Sequence, residues 1–224
     1  MRHRTRSQTF EGLTIVYDDR VLAPRSWTAL QSRWAAELAA ESDAAVLELH
    51  AGVGHIGLAA ARQAGRPLTQ VDADPVACGF AVENAWRAGM AHCVTVRCGD
   101  VEAAVPAGER FSVVLADPPY VPTEDVAAFP GDPPAAIDGG PDGLGPALHC
   151  ISSLLGRLPA RTPVLMQLRG PRQIDQLAAR LPAGANARDA RCDGPEHGVA
   201  LIVIDGSSTN VARTGTPLQM TGGG

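Results

Sequence analysis

The fold is decided by the stretch AAVLELHAGVGHIGLAAARQAGRPLTQVD (Ala44–Asp72). It begins with a short apolar run, turns through several glycines into an alanine-rich segment, and closes on a second apolar run. Buried parallel strands are continuous apolar runs, and two parallel strands need a crossover, usually a helix, between them. The stretch therefore predicts strands over 44–49 and 67–72, joined by a helix over 54–63.

The same alternation continues to the end of the chain. Further strands are predicted over 93–98, 111–116, 163–168 and 198–204, and further helices over 75–88, 145–158 and 173–181. Upstream, a lead-in and a helix are predicted over 22–38, with Ser26 or Thr28 as the N-cap. Strands that alternate with helices indicate a single α/β domain with a mostly parallel sheet. We expect a lead-in and helix over 1–43, a catalytic domain over 44–205 and a disordered tail over 206–224.

The composition is that of an ordinary globular protein. Of the 224 residues 45% are hydrophobic and 19% charged, and the net charge of -5 gives no general attraction to nucleic acid or to a membrane surface. No apolar run reaches the ~20 residues that a membrane span needs. Five cysteines without a C-x-x-C pair indicate reduced thiols. We therefore expect a cytoplasmic protein with no metal site.

Glycines follow the first strand of the quoted stretch. Gly52, Gly54 and Gly57 match the G-x-G-x-x-G of a dinucleotide site, and Asp72 follows at the expected distance. However, Glu48 lies at the end of the strand, four positions before Gly52, and an acid there favours a cationic ligand over a pyrophosphate. Asp72 ends the next strand, where a carboxylate can accept the hydroxyl hydrogens of a ribose. Asp100, after the third strand, has a position suited to an adenine amino group.

The fourth predicted strand ends in Asp117-Pro118-Pro119-Tyr120, followed by about two dozen residues rich in Pro, Gly and Asp. The prolines stiffen the backbone and remove two N–H donors. They leave the Asp117 carboxylate and the Pro118 carbonyl as acceptors, beside the flat ring of Tyr120. This combination is typical of a site that holds a planar N–H₂ group.

In their order along the chain, ELHAGVG, VDAD, CGD and DPPY resemble the motifs of class I S-adenosylmethionine-dependent methyltransferases. VLAPRSWT upstream and PPAAIDGGPDGLG downstream are similar to the HemK/PrmC group, the protein N5-glutamine methyltransferases that modify peptide-chain release factors. The resemblance covers residues 21–204. It implies a Rossmann-like, seven-stranded, mostly parallel sheet with helices on both faces. Members of the group carry an N-terminal docking domain, which we expect this chain to lack.

The resemblance also implies roles for individual residues. S-adenosylmethionine would contact Glu48, Asp72, Asp100, Val101, Asp117 and the loop of His50, Ala51, Gly52, Val53 and Gly54. Asp117, Pro118 and Tyr120 would be catalytic. Pro119, Tyr120, Arg25 and Thr28 would bind the methyl acceptor, and the long loop after Tyr120 would be a lid.

Three acceptors stay open at this stage. The group resemblance favours the amide of a protein glutamine. The glutamine-modifying enzymes have asparagine where this chain has Asp117, and aspartate there is more common in enzymes that act on exocyclic amines of RNA or DNA bases. A small molecule of specialised metabolism is the third acceptor, and a non-catalytic cofactor-binding protein is a further reading.

Two aromatic residues outside these motifs are given a structural interpretation. Trp27 and Trp34 are seven positions apart, which is typical of one helix face packed on a sheet. Glu196 and His197, at the start of the last strand, are interpreted as a hairpin cap. Neither pair is predicted to belong to a site.

Overall fold

The computed structural model describes residues 3–205, and the predicted disordered tail lies outside this range. Residues 3–205 contain nine strands: β1 (Arg6–Phe10), β2 (Leu13–Tyr17), β3 (Ala45–Leu49), β4 (Leu68–Asp72), β5 (Val94–Cys98), β6 (Phe111–Ala116), β7 (Pro163–Leu168), β8 (Ala185–Cys192) and β9 (Gly198–Ile204). The α-helices are α1 (Ala29–Ala39), α2 (His55–Ala64), α3 (Pro75–Arg87), α4 (Val101–Ala104), α5 (Pro134–Ile137), α6 (Gly145–Leu154) and α7 (Gly170–Ala178). Single 3₁₀ segments cover Ser26–Thr28 and Thr123–Ala128.

Seven of these strands form one sheet in the order β5-β4-β3-β6-β7-β9-β8. The neighbours from β5 to β7 pair in parallel, whereas β9 is antiparallel to both β7 and β8. The predicted seven-stranded, mostly parallel sheet is therefore confirmed. The chain leaves β3 toward β4 on one side, and β6 lies on the other side of β3, so the strand order reverses between β3 and β6. Ligands of open α/β sheets bind at such a reversal.

Two hydrophobic cores cover the two faces of the sheet. Alternate side chains of β6 divide between them, because Val113 and Leu115 join one cluster whereas Val114 and Ala116 join the other. The first cluster holds the apolar sides of α1, α2 and α3, and the second holds those of α4, α6 and α7. None of the helices in residues 3–205 has the length and apolarity needed to cross a membrane.

The β1–β2 hairpin was not predicted. Phe10, Leu13 and Ile15 pack into the first core, and the Asn84 side chain of α3 pairs with both backbone groups of Val16 at 2.8 and 3.0 Å. Strand β8 was also missed, because it is a polar edge strand with mostly exposed side chains. Before α1, Thr28 does not act as the predicted N-cap, since its hydroxyl donates to the Arg25 carbonyl at 2.7 Å.

Candidate active site

Two cavities meet at the carboxyl ends of β3 and β6. The first, of about 450 Å³, lies over the residues that follow β3 and is called the glycine-loop cavity. The second, of about 340 Å³, lies over Asp117 to Tyr120 and is called the DPPY cavity. Asp117, Pro119 and Arg25 line both cavities, so the Asp117 side chain lies at their junction.

The glycine loop (residues 50–54) connects β3 to α2 and forms one wall of the first cavity. His50, Gly52 and Gly54 have left-handed backbones, with φ of 54°, 53° and 80°. A Cβ at Gly54 would lie 2.4 Å from the Gln70 amide nitrogen, whereas a Cβ at Gly52 would project into open space. Glycine is therefore needed at position 54 for packing, and at position 52 it leaves the backbone open toward the cavity.

Asp72 fixes this loop from the end of β4. One carboxylate oxygen accepts a 2.7 Å hydrogen bond from the Gly52 N–H, and the other accepts from the Asp74 N–H at 2.9 Å. Asp74 in turn caps α3 by accepting a hydrogen bond from the Val76 N–H at 2.8 Å. Asp72 therefore lines the glycine-loop cavity and also holds the turn that shapes it.

Glu48 lies behind the loop and not on a cavity wall. It is 2% exposed, and its carboxylate accepts hydrogen bonds from the Gly57 N–H at 2.9 Å and the Gln70 amide at 2.6 Å. Burial raises the pKa of Glu48 to about 7, although both hydrogen bonds act to lower it. Asp100 is exposed ahead of α4 and Val101 is buried, and neither lines the glycine-loop cavity.

Asp117 to Tyr120 form the floor of the DPPY cavity. Within residues 3–205, no protein group donates a hydrogen bond to the Asp117 carboxyl or to the Pro118 carbonyl. Burial raises the pKa of Asp117 to about 7, and the nearby Arg25 guanidinium acts in the opposite direction. Burial, with a smaller contribution from Asp117, also raises the pKa of the Tyr120 phenol. The cavity therefore presents two free acceptors close to an un-ionised phenol.

The loop that follows Tyr120 folds back over this floor. The Val121 carbonyl accepts a hydrogen bond from the Gly139 N–H at 2.8 Å, and the Val121 N–H donates to the Ile137 carbonyl at 2.9 Å. A Cβ at Gly143 would lie 2.2 Å from the Tyr120 carbonyl oxygen. The Gln173 side chain donates to that same carbonyl at 3.0 Å. Glycines of the GGPDG segment are therefore needed where the returning loop touches Tyr120.

Charged side chains fasten the loop to its surroundings. Arg25 forms an ion pair with Asp132, and Arg169 pairs with Asp125 at 2.8 Å and with Glu196 at 3.1 Å. Of the two upstream residues predicted to bind the acceptor, Arg25 lines both cavities. Thr28 is buried away from the cavity walls, with its hydroxyl 3.3 Å from the His55 ring.

Three residues interpreted as structural, Trp27, Glu196 and His197, line the DPPY cavity. Trp27 stacks on His197 with ring centroids 4.1 Å apart and planes within 5°. Trp34, in contrast, is buried in the first core, so the two tryptophans do not share one helix face. The interpretation of Trp27 and Trp34 as one helix face was wrong because Trp27 lies in the 3₁₀ segment before α1. The sequence signal that could have assigned Trp27 to the site was the motif VLAPRSWT, because it also contains the predicted site residue Arg25.

Comparisons with known proteins identify methyltransferases as relatives. A family model described as "Methyltransferase small domain" matches residues 32–129. A release factor glutamine methyltransferase of Geobacter sulfurreducens is 37% identical over 145 residues, which are 62% of this chain and 49% of that protein. The protein of that name from Deinococcus radiodurans is 31% identical over 207 residues, which are 86% of this chain and 70% of that protein.

Solved structures support the fold. TrmN from Thermus thermophilus matches with a TM-score of 0.56 at 21% identity, over 80% of this chain and 51% of that one. The chain spans about half the length of the Geobacter sulfurreducens relative.

Proposed function

The chain belongs to the release factor glutamine methyltransferase family of class I methyltransferases, and on that premise we propose that it transfers a methyl group from S-adenosylmethionine to the side-chain amide nitrogen of a protein glutamine. The observation that carries the proposal is the position of the free Asp117 carboxyl at the junction of the two cavities, next to Pro118, which lines the DPPY cavity. The acceptor we propose is a peptide-chain release factor, and the compartment is the cytoplasm.

The glycine-loop cavity fits the cofactor. Gly52 exposes backbone toward open space, and the buried His50 Nε2, in a residue that lines the cavity, has no partner within residues 3–205. We propose that residues 50–54 hold the amino-acid part and that Asp72 accepts the ribose hydroxyls, since a carboxylate has lone pairs beyond the two that bind Gly52 and Asp74. When bound, S-adenosylmethionine supplies an electrophilic methyl group. Glu48 acts indirectly by holding the loop, and contacts from Asp100 and Val101 stay a prediction.

The DPPY cavity suits a planar amide. Its N–H₂ group has two hydrogens, and Asp117 and the Pro118 carbonyl offer two acceptors at the cavity floor. These bonds turn the nitrogen lone pair toward the neighbouring cavity. Positioning of this kind lowers the activation free energy of a reaction by up to ~7–11 kcal/mol in favourable cases. Pro119 and Tyr120 would form the surface on which the amide lies.

Asp117 also acts through its charge. Positive charge develops on the amide nitrogen as the new N–C bond forms, and an ionised carboxylate in a partly dry cavity stabilises it. The same carboxylate then takes the departing proton. With a pKa of about 7, Asp117 is a competent base at neutral pH.

One observation favours a second acceptor. The DPPY cavity has Trp27, Tyr120, Phe129 and His197 on its walls, and such rings also suit a nucleobase that carries an exocyclic amine. An RNA or DNA base is therefore the alternative, and a small planar molecule is a third candidate.

The test is transfer of labelled methyl from S-adenosylmethionine to three acceptors offered in parallel: a bacterial release factor, total RNA and a small-molecule extract. We expect label on one glutamine of the release factor. Label only in RNA or in small molecules would overturn the choice of acceptor. Asp117→Ala should bind the cofactor normally and lose transfer, whereas Asp43→Ala, which alters an exposed carboxylate, should keep it. Normal turnover by Asp117→Ala would refute the role given to Asp117.

A further inference from the structure

Trp27, which lines the DPPY cavity, carries a hydrogen-bond donor that the proposed function leaves without a role. The Trp27 Nε1–H is buried and forms no hydrogen bond within residues 3–205. It lies close enough to the Tyr120 hydroxyl to lower the pKa of that phenol, yet the two groups do not meet hydrogen-bond geometry. Buried polar groups without a partner are rare because they lose the hydrogen bonds of water, so such a group on a cavity wall indicates a ligand.

The indole is held firmly in place. Its ring stacks on His197 at 4.1 Å, and the Arg25 guanidinium carbon lies 5.7 Å from its centroid. The His197 Nδ1 is likewise buried without a partner, and burial lowers the pKa of His197, which keeps the imidazole neutral. A neutral ring can stack on the indole without bringing a second charge into the cavity. The indole that carries the donor is therefore held by contacts on its ring.

The polar groups of the cavity match a carboxamide. Asp117 and the Pro118 carbonyl are acceptors for the two N–H bonds, and a carboxamide also carries a carbonyl oxygen that needs a donor when it leaves water. We propose that the Trp27 Nε1–H donates to the carbonyl oxygen of the methyl acceptor, so that Trp27 makes the site specific for an amide over a simple amine. This inference rests on the proposed function, because it concerns the acceptor of the same reaction.

The direct test is the indole N–H resonance of Trp27 in the full chain labelled with ¹⁵N-tryptophan. Trp27→Phe identifies the peak by its disappearance. Benzamide and aniline are the probes, since both carry N–H₂ on a phenyl ring and only benzamide has a carbonyl. We expect benzamide, but not aniline, to move the Trp27 peak downfield. Absence of benzamide binding, binding without that shift, or an equal shift with aniline would each overturn the inference.

A kinetic test separates specificity from packing. Trp27→Phe keeps an aromatic ring to stack on His197 but removes the donor, and its kcat/KM for the glutamine acceptor should fall about tenfold to hundredfold with cofactor binding unchanged. Trp86→Phe is the matched control, because Trp86 lies on the exposed side of α3 and is 70% exposed. Full activity of Trp27→Phe would overturn the inference and leave the proposed function intact. A benzamide shift without any methylation of a release factor would support the role of Trp27 and overturn the proposed function.

Discussion

The guanidinium of Arg25, in the segment before α1, forms an ion pair with the carboxylate of Asp132, 107 positions further along the chain. Both side chains are mostly shielded from water, at 29% and 18% exposure. The pair closes the long loop after Tyr120 over the junction of the two cavities, because Arg25 and Asp117 line both of them. A segment upstream of the sheet is thus tied to the loop beside Asp117.

Asp132→Asn should loosen this loop. Partly buried ion pairs exceed the ~0–1 kcal/mol of exposed ones, so a loss of about 1 kcal/mol would raise the open fraction of the loop about fivefold. Limited proteolysis within residues 123–136 should accelerate accordingly, while the thermal midpoint of the whole domain changes little. The control is Glu11→Gln, which breaks the surface pair of Glu11 with Arg33 at 2.9 Å. Equal proteolysis of both variants would show that the Arg25–Asp132 pair does not hold the loop.

Gly143→Ala should prevent the same loop from seating on Tyr120. The added methyl would meet the Tyr120 carbonyl oxygen at 2.2 Å, and backbone atoms cannot move aside as a flexible side chain can. We expect a large loss of methyl transfer with cofactor binding retained. Gly140→Ala is the matched control, because Gly140 also has a positive φ, of 85°, but a Cβ there meets nothing within 4 Å. Similar losses in the two variants would mean that backbone strain alone explains the effect.

Much of this arrangement could be predicted from local sequence. The strand ends at Asp72 and Asp117 were placed correctly, because buried parallel strands are uninterrupted apolar runs that end at a polar residue. The start of the helix over 75–88 was also placed correctly, since proline at the first helical position is typical of a helix start. These features depend on neighbours in the chain, so a single sequence contains them.

The rest depends on contacts between distant residues. Nothing near Trp27 in the sequence indicates that it stacks on His197, 170 positions away. Glu48 has the position expected of a cofactor ligand, yet the Gly57 N–H and Gln70 occupy its carboxylate. Pairings across the fold decide which side chains face a cavity and which hold its wall from behind.

The rate of methyl transfer should depend on the ionisation of Asp117. With a pKa of about 7, the ionised fraction rises about tenfold between pH 6 and pH 8, and kcat/KM should rise with it and then level off. Asp117→Asn does not titrate, so its profile should be flat over this range. Glu48 has a similar pKa, and the control is therefore Glu48→Gln, which should keep the inflection near pH 7. A flat wild-type profile would contradict the assignment of Asp117 as the base.

Glu48 should make stability fall as the pH rises. Its folded-state pKa of about 7 lies above its ordinary value of 4.5, so the folded chain binds the proton more tightly than the unfolded chain. The stabilisation that Glu48 gives the folded chain is complete below about pH 4.5. It falls by about 1.4 kcal/mol per pH unit as the pH rises to 7. Urea unfolding at pH 5.5 and pH 8 should show a smaller loss for Glu48→Gln than for the wild type. Glu83→Gln, at an exposed position of α3, should behave as the wild type.

Gly52→Ala should weaken cofactor binding by more than the loss of stability from backbone strain explains. The position has φ of 53°, so a side chain costs about 1 kcal/mol in backbone strain, and the new methyl projects into the open space that S-adenosylmethionine would fill. Gly65→Ala is the matched control, because Gly65 at the end of α2 has φ of 66° and equally open surroundings away from both cavities. Calorimetric titration with S-adenosylhomocysteine should show at least about tenfold weaker binding for Gly52→Ala alone, which corresponds to about 1.4 kcal/mol. If both variants bind the ligand as the wild type does, the glycine loop does not contact the cofactor, and the assignment of the first cavity must be abandoned.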